Sequence, residues 1–367
     1  MKRRFLTIAI IAVIACSLNT GILLLLVTQQ DTNSNYTRIP STNIVPPAIT
    51  GSFIQFTSLS TFNYSWWSTE LANAKTIGID TIIIQWVHDG ATNKTLYQSS
   101  TFAFETASVS PDLFPPQPDP HGFPAVPDAL ASLLLLASPL HIAVYVGLTI
   151  TWDFADRMDN ATWLAAELAL NRRLATEVLH KYGTIDSFAG FYIPYEILQA
   201  SSWQGEDGVR YGNFFGAVSA CIRDVEQSVL GVQKLICTAP AASAVTWAPY
   251  SLAFWEVFLA RAGIDVLMIQ DGVGVHRNGI TSDLPAIYHV IADACNARHV
   301  SFWTDLEIFD ITEYSPALFS RVQAQLDLEC KYVGKIIVFD IPHYMSLQYS
   351  PSAAVLYHAY DAYRSRF

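Results

Sequence analysis

The chain of 367 residues has little charge, and positive charge in particular is scarce. Charged side chains make up 14% of it, and 21 Lys and Arg stand against 32 Asp and Glu, a formal net charge of −11. No basic run follows residue 4. The chain therefore lacks the positive surface that binding to a phosphate backbone needs, and we expect no nucleic-acid partner. With 51% hydrophobic residues, a disordered chain is excluded as well.

Cysteine is also rare, and the few cysteines are scattered. One of the five, Cys16, lies near the amino terminus, and the others are Cys221, Cys237, Cys295 and Cys330. No pair of cysteines has the spacing of a metal-binding or redox motif, so we expect neither a metal site nor a cofactor. The four later cysteines could form two disulfides or remain buried thiols, and their spacing favours neither.

The first 50 residues differ from the rest of the chain. A basic start at residues 2–4 precedes an apolar run at residues 5–27, which at ~1.5 Å per helical residue is about 34 Å long and can cross a bilayer. We therefore predict a signal anchor at 1–27, with a cleaved signal peptide as the alternative, and a polar tether at 28–50. With the basic flank on the cytoplasmic side, the body lies outside the cytoplasm. It is then either anchored to the membrane by this one helix or secreted.

The body contains eight short apolar runs, each followed by a helix-like stretch. Such runs are typical of parallel strands that are buried on both faces. We predict an α/β fold, a (β/α)8 TIM barrel that forms a single domain over residues 51–367. A doubly wound open sheet is the alternative, but no glycine-rich dinucleotide motif follows the first run. The predicted strands are 51–57, 79–86, 141–150, 187–196, 234–239, 264–271, 299–307 and 334–340.

One connection is much longer than the others. Residues 89–127, between the second and third predicted strands, contain seven prolines. In a barrel, a loop that follows a strand lies over the carboxyl-terminal face, where active sites are built. We therefore expect this insertion to wall a cleft.

Polar and aromatic side chains collect where the predicted strands end. A carboxylate at a buried strand end is costly unless it is paired or functional. Aromatic side chains, 13% of the chain, suit stacking against sugar rings, with amides and carboxylates binding the hydroxyl groups. The predicted substrate-binding residues are Gln55, Gln85, Trp86, Trp152, Tyr195, Asp271, Trp303, Asp305 and Asp340.

Two glutamates are the predicted catalytic pair. Glu196 ends the fourth strand and Glu307 ends the seventh. Because side chains alternate along a strand, Glu307 faces the same way as Asp305 and Trp303. Paired carboxylates are what general acid and base chemistry at a glycosidic bond requires. Asp305 or Asp271 could replace Glu307 as the second carboxylate, and Asp271 could equally form a turn.

Five motifs carry a resemblance to a known family. In order along the chain they are GSFIQF at 51–56, IDTIIIQW at 79–86, GFYIPYE at 190–196, DVLMIQDGVG at 265–274 and DLEIF at 305–309. From about Gly51 to Tyr363 the chain resembles a family of domains of unknown function described as glycoside-hydrolase-type TIM barrels. A looser likeness to the retaining clan A glycosidases implies an acid/base at Glu196 and a nucleophile at Glu307. The chain differs from that clan at Tyr195, where an Asn usually precedes the first of these glutamates.

The sequence thus predicts an extracytoplasmic glycoside hydrolase that acts on a polysaccharide or glycan, with retention favoured over inversion and a monomer expected. The alternative is a non-catalytic carbohydrate-binding barrel of an envelope or matrix. A metal-dependent barrel hydrolase is disfavoured because the first strand supplies no His ligand. A phosphate-binding barrel is disfavoured because no glycine-rich loop follows the last two strands.

Overall fold

The structure is a computed structural model, and it describes residues 46–56, 58, 63–104, 128–197, 205–241 and 252–366. The predicted membrane segment at 1–27, the tether up to residue 45 and residues 105–127 of the insertion lie outside the described residues. Within the described ranges, no helix combines the length and hydropathy needed to span a membrane.

Eight parallel strands close into a barrel in which each strand pairs with its neighbours in sequence. This sequential closed order confirms the predicted barrel over the open sheet, whose outer strands would be left unpaired. The strands are β1 (Gly51–Ile54), β2 (Thr81–Ile84), β3 (Ala143–Gly147), β4 (Phe188–Ile193), β5 (Leu235–Thr238), β6 (Val266–Gln270), β7 (Ser301–Glu307) and β8 (Ile336–Phe339).

Each strand is followed by a helix that packs on the outside of the barrel. The helices are α1 (Tyr64–Thr76), α2 (Ala129–Ala137), α3 (Ala161–Tyr182), α4 (Gly205–Val229), α5 (Leu252–Ala262), α6 (Leu284–Arg298), α7 (Phe319–Glu329) and α8 (Pro351–Arg364). Several begin at a side chain that accepts a hydrogen bond from the first turn: Asn63 accepts from Trp66 N, and Asn160 from Thr162 N and Trp163 N. These caps satisfy amide groups that the helix itself leaves unpaired.

The alternation of side chains along each strand separates two apolar layers. The inward residues fill the lumen of the barrel, among them Phe53, Ile83, Tyr145, Tyr192, Met268, Trp303 and Ile337. The outward residues, such as Ile82, Ile84, Val144 and Val146, pack against the helices. A strand residue is therefore buried on either face, which is why the strands appear in the sequence as continuous apolar runs.

The described beginning of the insertion lies at the carboxyl-terminal end of the barrel. His88–Asp89 pairs antiparallel with Lys94–Thr95 and parallel with Thr149–Ile150, just after β3, and Ala103–Phe104 completes this small sheet. His88, which is buried, is hydrogen-bonded to Thr149 Oγ1 at 2.8 Å. This part of the insertion is thus fixed beside β3, on the face where the prediction put it.

The four cysteines of the body, which are Cys221, Cys237, Cys295 and Cys330, are free thiols in the structure, and all four are buried. The disulfide alternative is therefore wrong. Burial raises the pKa of Cys221, and the other three follow the same trend. They behave as small apolar side chains of the core.

Candidate active site

Three carboxyl groups meet at the carboxyl-terminal end of the lumen. Asp305 and Glu307 lie on the same face of β7 as Trp303, whose ring is among the side chains inside the barrel. Glu196 follows β4 and is close enough to Asp305 for its charge to raise the Asp305 pKa. Glu196 and Glu307, the predicted catalytic pair, thus both lie close enough to Asp305 to act on its pKa.

Glu196 is half-buried. The Gln270 side chain, at the end of β6, hydrogen-bonds the carboxyl group. Burial raises the pKa of Glu196 to about 7, and the bond from Gln270 opposes this rise. A carboxyl group with such a pKa holds a proton near neutral pH and can deliver it to a leaving oxygen.

Glu307 is almost completely buried, with 4% of its surface exposed. Its Oε2 accepts a hydrogen bond from Val275 N at 2.7 Å, and the amide of Gly274 also donates to the carboxyl group. Burial and the charge of Asp271 raise the pKa of Glu307 to about 8, against the effect of the two amides. The amides fix the carboxyl group in one orientation and favour its ionised form.

The loop that supplies these amides needs a glycine at position 274. A Cβ atom there would lie 2.4 Å from Phe309 O and 3.0 Å from Glu307 Oε2, closer than either contact allows. The loop is held at its base by Asn278, whose Nδ2 donates to Asp271 O at 2.7 Å. Close packing of backbone on carboxylate is therefore built into this loop by its sequence.

Asp305 has no such donors. It is 2% exposed, and its Oδ1 has no hydrogen-bond partner within the described ranges. Burial, followed by the charges of Glu307, Asp271 and Glu196, raises the pKa of Asp305 well above its usual range. An unpaired carboxyl oxygen buried in a lumen is costly to the fold, so its presence indicates a use.

Behind β7, one face of α7 supports the backbone of Glu307. Arg321 Nη2 donates to Glu307 O at 2.8 Å, and Gln325 Nε2 donates to Asp271 Oδ2. Asp271 and Glu329 are both fully buried and hydrogen-bond each other, which requires a proton on one of them. Sequence reasoning missed this network, although the signal was present: three polar residues spaced four apart on a helix share its inner face.

Between β8 and β1, Asp340 organises two polar side chains. Its Oδ2 accepts from Gln55 Nε2 at 3.0 Å, and its two oxygens lie 3.0 and 2.9 Å from His343 Nδ1. Burial works against protonation of His343, but the hydrogen bond and charge of Asp340 raise its pKa. Gln55 and His343 are partly exposed, so they can reach a ligand, and His343 was not among the predicted site residues.

An aromatic group borders the opposite side, next to β2 and β3. Trp86 stacks on Phe56 with ring centroids 6.5 Å apart and meets Trp152 edge-on at 5.8 Å. Trp152 is 56% exposed. The half-buried Gln85 precedes Trp86 and points to the other face of the chain, into the lumen. This side keeps the aromatic and amide groups that the sequence analysis assigned to sugar binding.

Four predicted substrate-binding residues are placed elsewhere. Tyr195 is 1% exposed and faces the helices, where its hydroxyl donates to Glu167 Oε1 at 2.6 Å. Asp271 is fully buried, and its Oδ1 accepts from Val273 N at 3.0 Å, which is the turn-forming alternative. Asp340 is also fully buried and acts through Gln55 and His343.

Trp303, the fourth, was expected on the rim but lies deep in the lumen. Its ring meets Tyr145 edge-on at 6.1 Å, and Lys335 Nζ lies 5.3 Å from the ring centroid. Lys335 precedes β8 and pairs with Asp80, before β2, so it marks the amino-terminal end of the barrel.

No group of three or more His, Cys, Asp or Glu could hold a metal ion in the part of the chain that the structure describes.

A groove of about 400 Å³ runs between α3 and α4, bordered by Ala169, Arg172 and Ala220 among others. It lies on the outer surface and contains none of the lumen carboxyl groups.

The model of a domain of unknown function, DUF4434, matches residues 49–355 of the chain. No curated protein matches it. A protein of Bacteroides thetaiotaomicron VPI-5482, described only provisionally as an alpha-L-fucosidase, has a similar structure: TM-score 0.66 and 20% identity over 92% of this chain and 99% of that one. The endo-1,4-beta-mannanase of Rhizomucor miehei gives a TM-score of 0.55 and 11% identity over 87% of this chain and 95% of that one. At these identities the likeness shows a shared fold, the (β/α)8 barrel.

Proposed function

The chain belongs to the DUF4434 family, and we propose that it is a glycoside hydrolase in which Glu196 and Glu307 are the catalytic carboxyl groups. The observation that carries the proposal is the contrast between their surroundings at one end of the lumen. Glu196 is half-buried beside a single amide donor, whereas Glu307 is buried and held by two backbone amides. The two amides orient the Glu307 carboxyl group and favour its ionised form, so we assign it the nucleophile or base role and leave the acid role to Glu196.

In the retaining reaction, which we favour, Glu307 attacks the anomeric carbon while Glu196 gives its proton to the leaving oxygen. The glycosidic bond breaks and a bond between Glu307 and the sugar forms. Glu196, now ionised, takes a proton from water, and the water oxygen displaces Glu307 from the sugar. In an inverting reaction, Glu307 would instead activate water for a single displacement.

The substrate in this proposal is a glycan. Gln55, Gln85 and His343 would bind its hydroxyl groups, and Trp86 with Trp152 would stack on its rings. The active form needs a proton on Glu196 and none on Glu307, which is the less populated singly protonated form when the pKa values are about 7 and about 8. Its population is greatest between those two values, so we expect a bell-shaped rate profile with its maximum there. We further propose that the body lies outside the cytoplasm, anchored by residues 1–27 or secreted, and works as a monomer.

A glycan-array screen of the full chain tests the function. Binding and products are compared for wild type, Glu196→Gln, Glu307→Gln and a control variant. The control is Glu313→Gln, which removes the same charge at an exposed position. We expect binding by all four and products only from wild type and Glu313→Gln. Unchanged turnover by Glu196→Gln would refute the assignment. Binding without products from any of them would indicate a non-catalytic binding protein.

A further inference from the structure

The unpaired oxygen of Asp305 is the feature of the site that the hydrolytic mechanism does not use. Oδ1 is buried without a hydrogen-bond partner among the described residues, and the side chain shares the inner face of β7 with Glu307 and Trp303. It therefore lies in the lumen between the ring of Trp303 and the carboxyl group of Glu307. A buried oxygen of this kind is satisfied by water, by an ion or by a group of a ligand.

The charged groups that face Asp305 are all acidic. Glu307 lies beside it on β7 and Glu196 approaches from β4, and the charges of Asp271, on the outer side of β6, and of Asp340, after β8, also raise its pKa. In a buried lumen, each additional carboxylate makes the others harder to ionise. A ligand with a negative charge would be repelled here, and a positive charge would be favoured by several groups at once.

The cations nearest this end of the barrel are already engaged, as far as the described part of the chain goes. Arg321 donates to the carbonyl oxygens of Glu307 and Phe309, on the outer side of β7. His343 is bound by Asp340, and Arg277, in the loop after β6, donates to Thr312 Oγ1. Among the described residues, the acidic lumen is therefore left without a counter-charge at Asp305.

We propose that the glycan bound here carries an ammonium group, as in an amino sugar without its N-acetyl group, and that Asp305 accepts a hydrogen bond from this group. The inference rests on the proposed function and names the substrate class of the same site. An ammonium group brings both a charge and three donors, so it can satisfy Asp305 Oδ1 and bond a second acceptor in the lumen. A hydroxyl group could donate one bond but would bring no positive charge to offset the neighbouring carboxyl groups.

The test measures binding, so it does not depend on turnover. Glucosamine and galactosamine are each compared with their N-acetyl forms by saturation-transfer NMR on the full chain. The pH is about 7.5, where the amine is still partly protonated and Glu196 and Glu307, with pKa values of about 7 and about 8, are partly ionised. We expect wild type to bind at least one amine about tenfold more tightly than its N-acetyl form. Asp305→Asn should remove this preference, because the amide of the same shape carries no charge.

Equal affinity for amine and N-acetyl sugars in wild type, or no saturable binding of either amine, would overturn the proposal. A preference that survives in Asp305→Asn would overturn it as well. Glu313→Gln is the matched control and should keep the preference, since that acid is exposed. If Asp305→Asn does not fold, as judged by its melting transition, Asp305→Ser takes its place. Turnover by Glu196→Gln would defeat the proposed function and leave the amine preference standing, so the two failures can be told apart.

Discussion

Glu70 offers a test of the electrostatics that needs no substrate. This α1 residue is 2% exposed, and its Oε2 accepts from Ser346 Oγ at 2.7 Å and from Gln348 Nε2 at 3.1 Å. Burial raises its pKa from 4.5 to about 7, although the two hydrogen bonds act in the opposite direction. The folded protein thus keeps a proton that the unfolded chain has already lost in this range of pH.

The sign and the size of the effect follow. A carboxyl group with a raised pKa makes the folded state less stable as the pH rises from the unfolded value to the folded one, by about 1.4 kcal/mol for each pH unit. With pKa values of 4.5 and about 7, the Glu70 contribution to the free energy of unfolding falls by about 2.5 kcal/mol between pH 5 and pH 8. Glu70→Gln keeps the shape of the side chain and removes its titration.

The assay is urea unfolding of wild type and Glu70→Gln at pH 5 and pH 8. We expect the stability of the variant relative to wild type to increase by about 2.5 kcal/mol from the lower to the higher pH. Glu313→Gln, at an exposed position, serves as the control and should follow wild type at both values. If the curves of wild type and Glu70→Gln stay parallel within about 0.5 kcal/mol, burial does not shift the pKa of Glu70 and the reasoning fails.

Two further predictions concern the site. Gly274→Ala should lower kcat about tenfold to a hundredfold with little change in KM, because the added methyl group displaces the amides that bind Glu307. Steady-state kinetics on a substrate from the array would measure this effect. An unchanged kcat would contradict it. Trp303→Ala should lower the free energy of unfolding by about 3–5 kcal/mol, as expected for a large aromatic side chain in a core. Trp152→Ala, at an exposed ring, should leave stability unchanged within about 0.5 kcal/mol and weaken glycan binding by about 1 kcal/mol. Urea unfolding measures the first effect and titration calorimetry the second, and the reverse pattern would contradict the assignment of Trp303 to the core and of Trp152 to the ligand side.

Part of what the sequence analysis missed was available from the two-residue period of a strand. Tyr195 and Glu196 are adjacent, as are Gln270 and Asp271, so within each pair only one side chain can face the lumen. Assigning both Tyr195 and Glu196 to the site was inconsistent with that rule, and of the second pair only the outward member, Asp271, was assigned to it. The inward member of the second pair, Gln270, proves to be the partner of Glu196.

Other features were beyond the reach of the sequence. Trp303 faces inward as expected, but its depth along the barrel axis depends on the stagger between neighbouring strands, which pairs Trp303 with Met268 and Asp305 with Gln270. The contact of the Val275 amide with Glu307 joins residues 32 positions apart through the fold of a loop. The hydrogen bond from Gln55 to Asp340 likewise joins two residues that are 285 positions apart in the sequence.

By itself, the sequence determined the eight strands, their order in a closed barrel and the collection of acids at one end of it. These features follow from local apolar runs, from their regular alternation with helices and from the rule that parallel strands end together. Only the tertiary structure decided which acids reach the lumen, how deep each lies and which amide groups surround them. Those properties depend on strand stagger and loop packing, and they set the burial and the neighbouring charges from which the pKa values of Glu196, Asp305 and Glu307 arise.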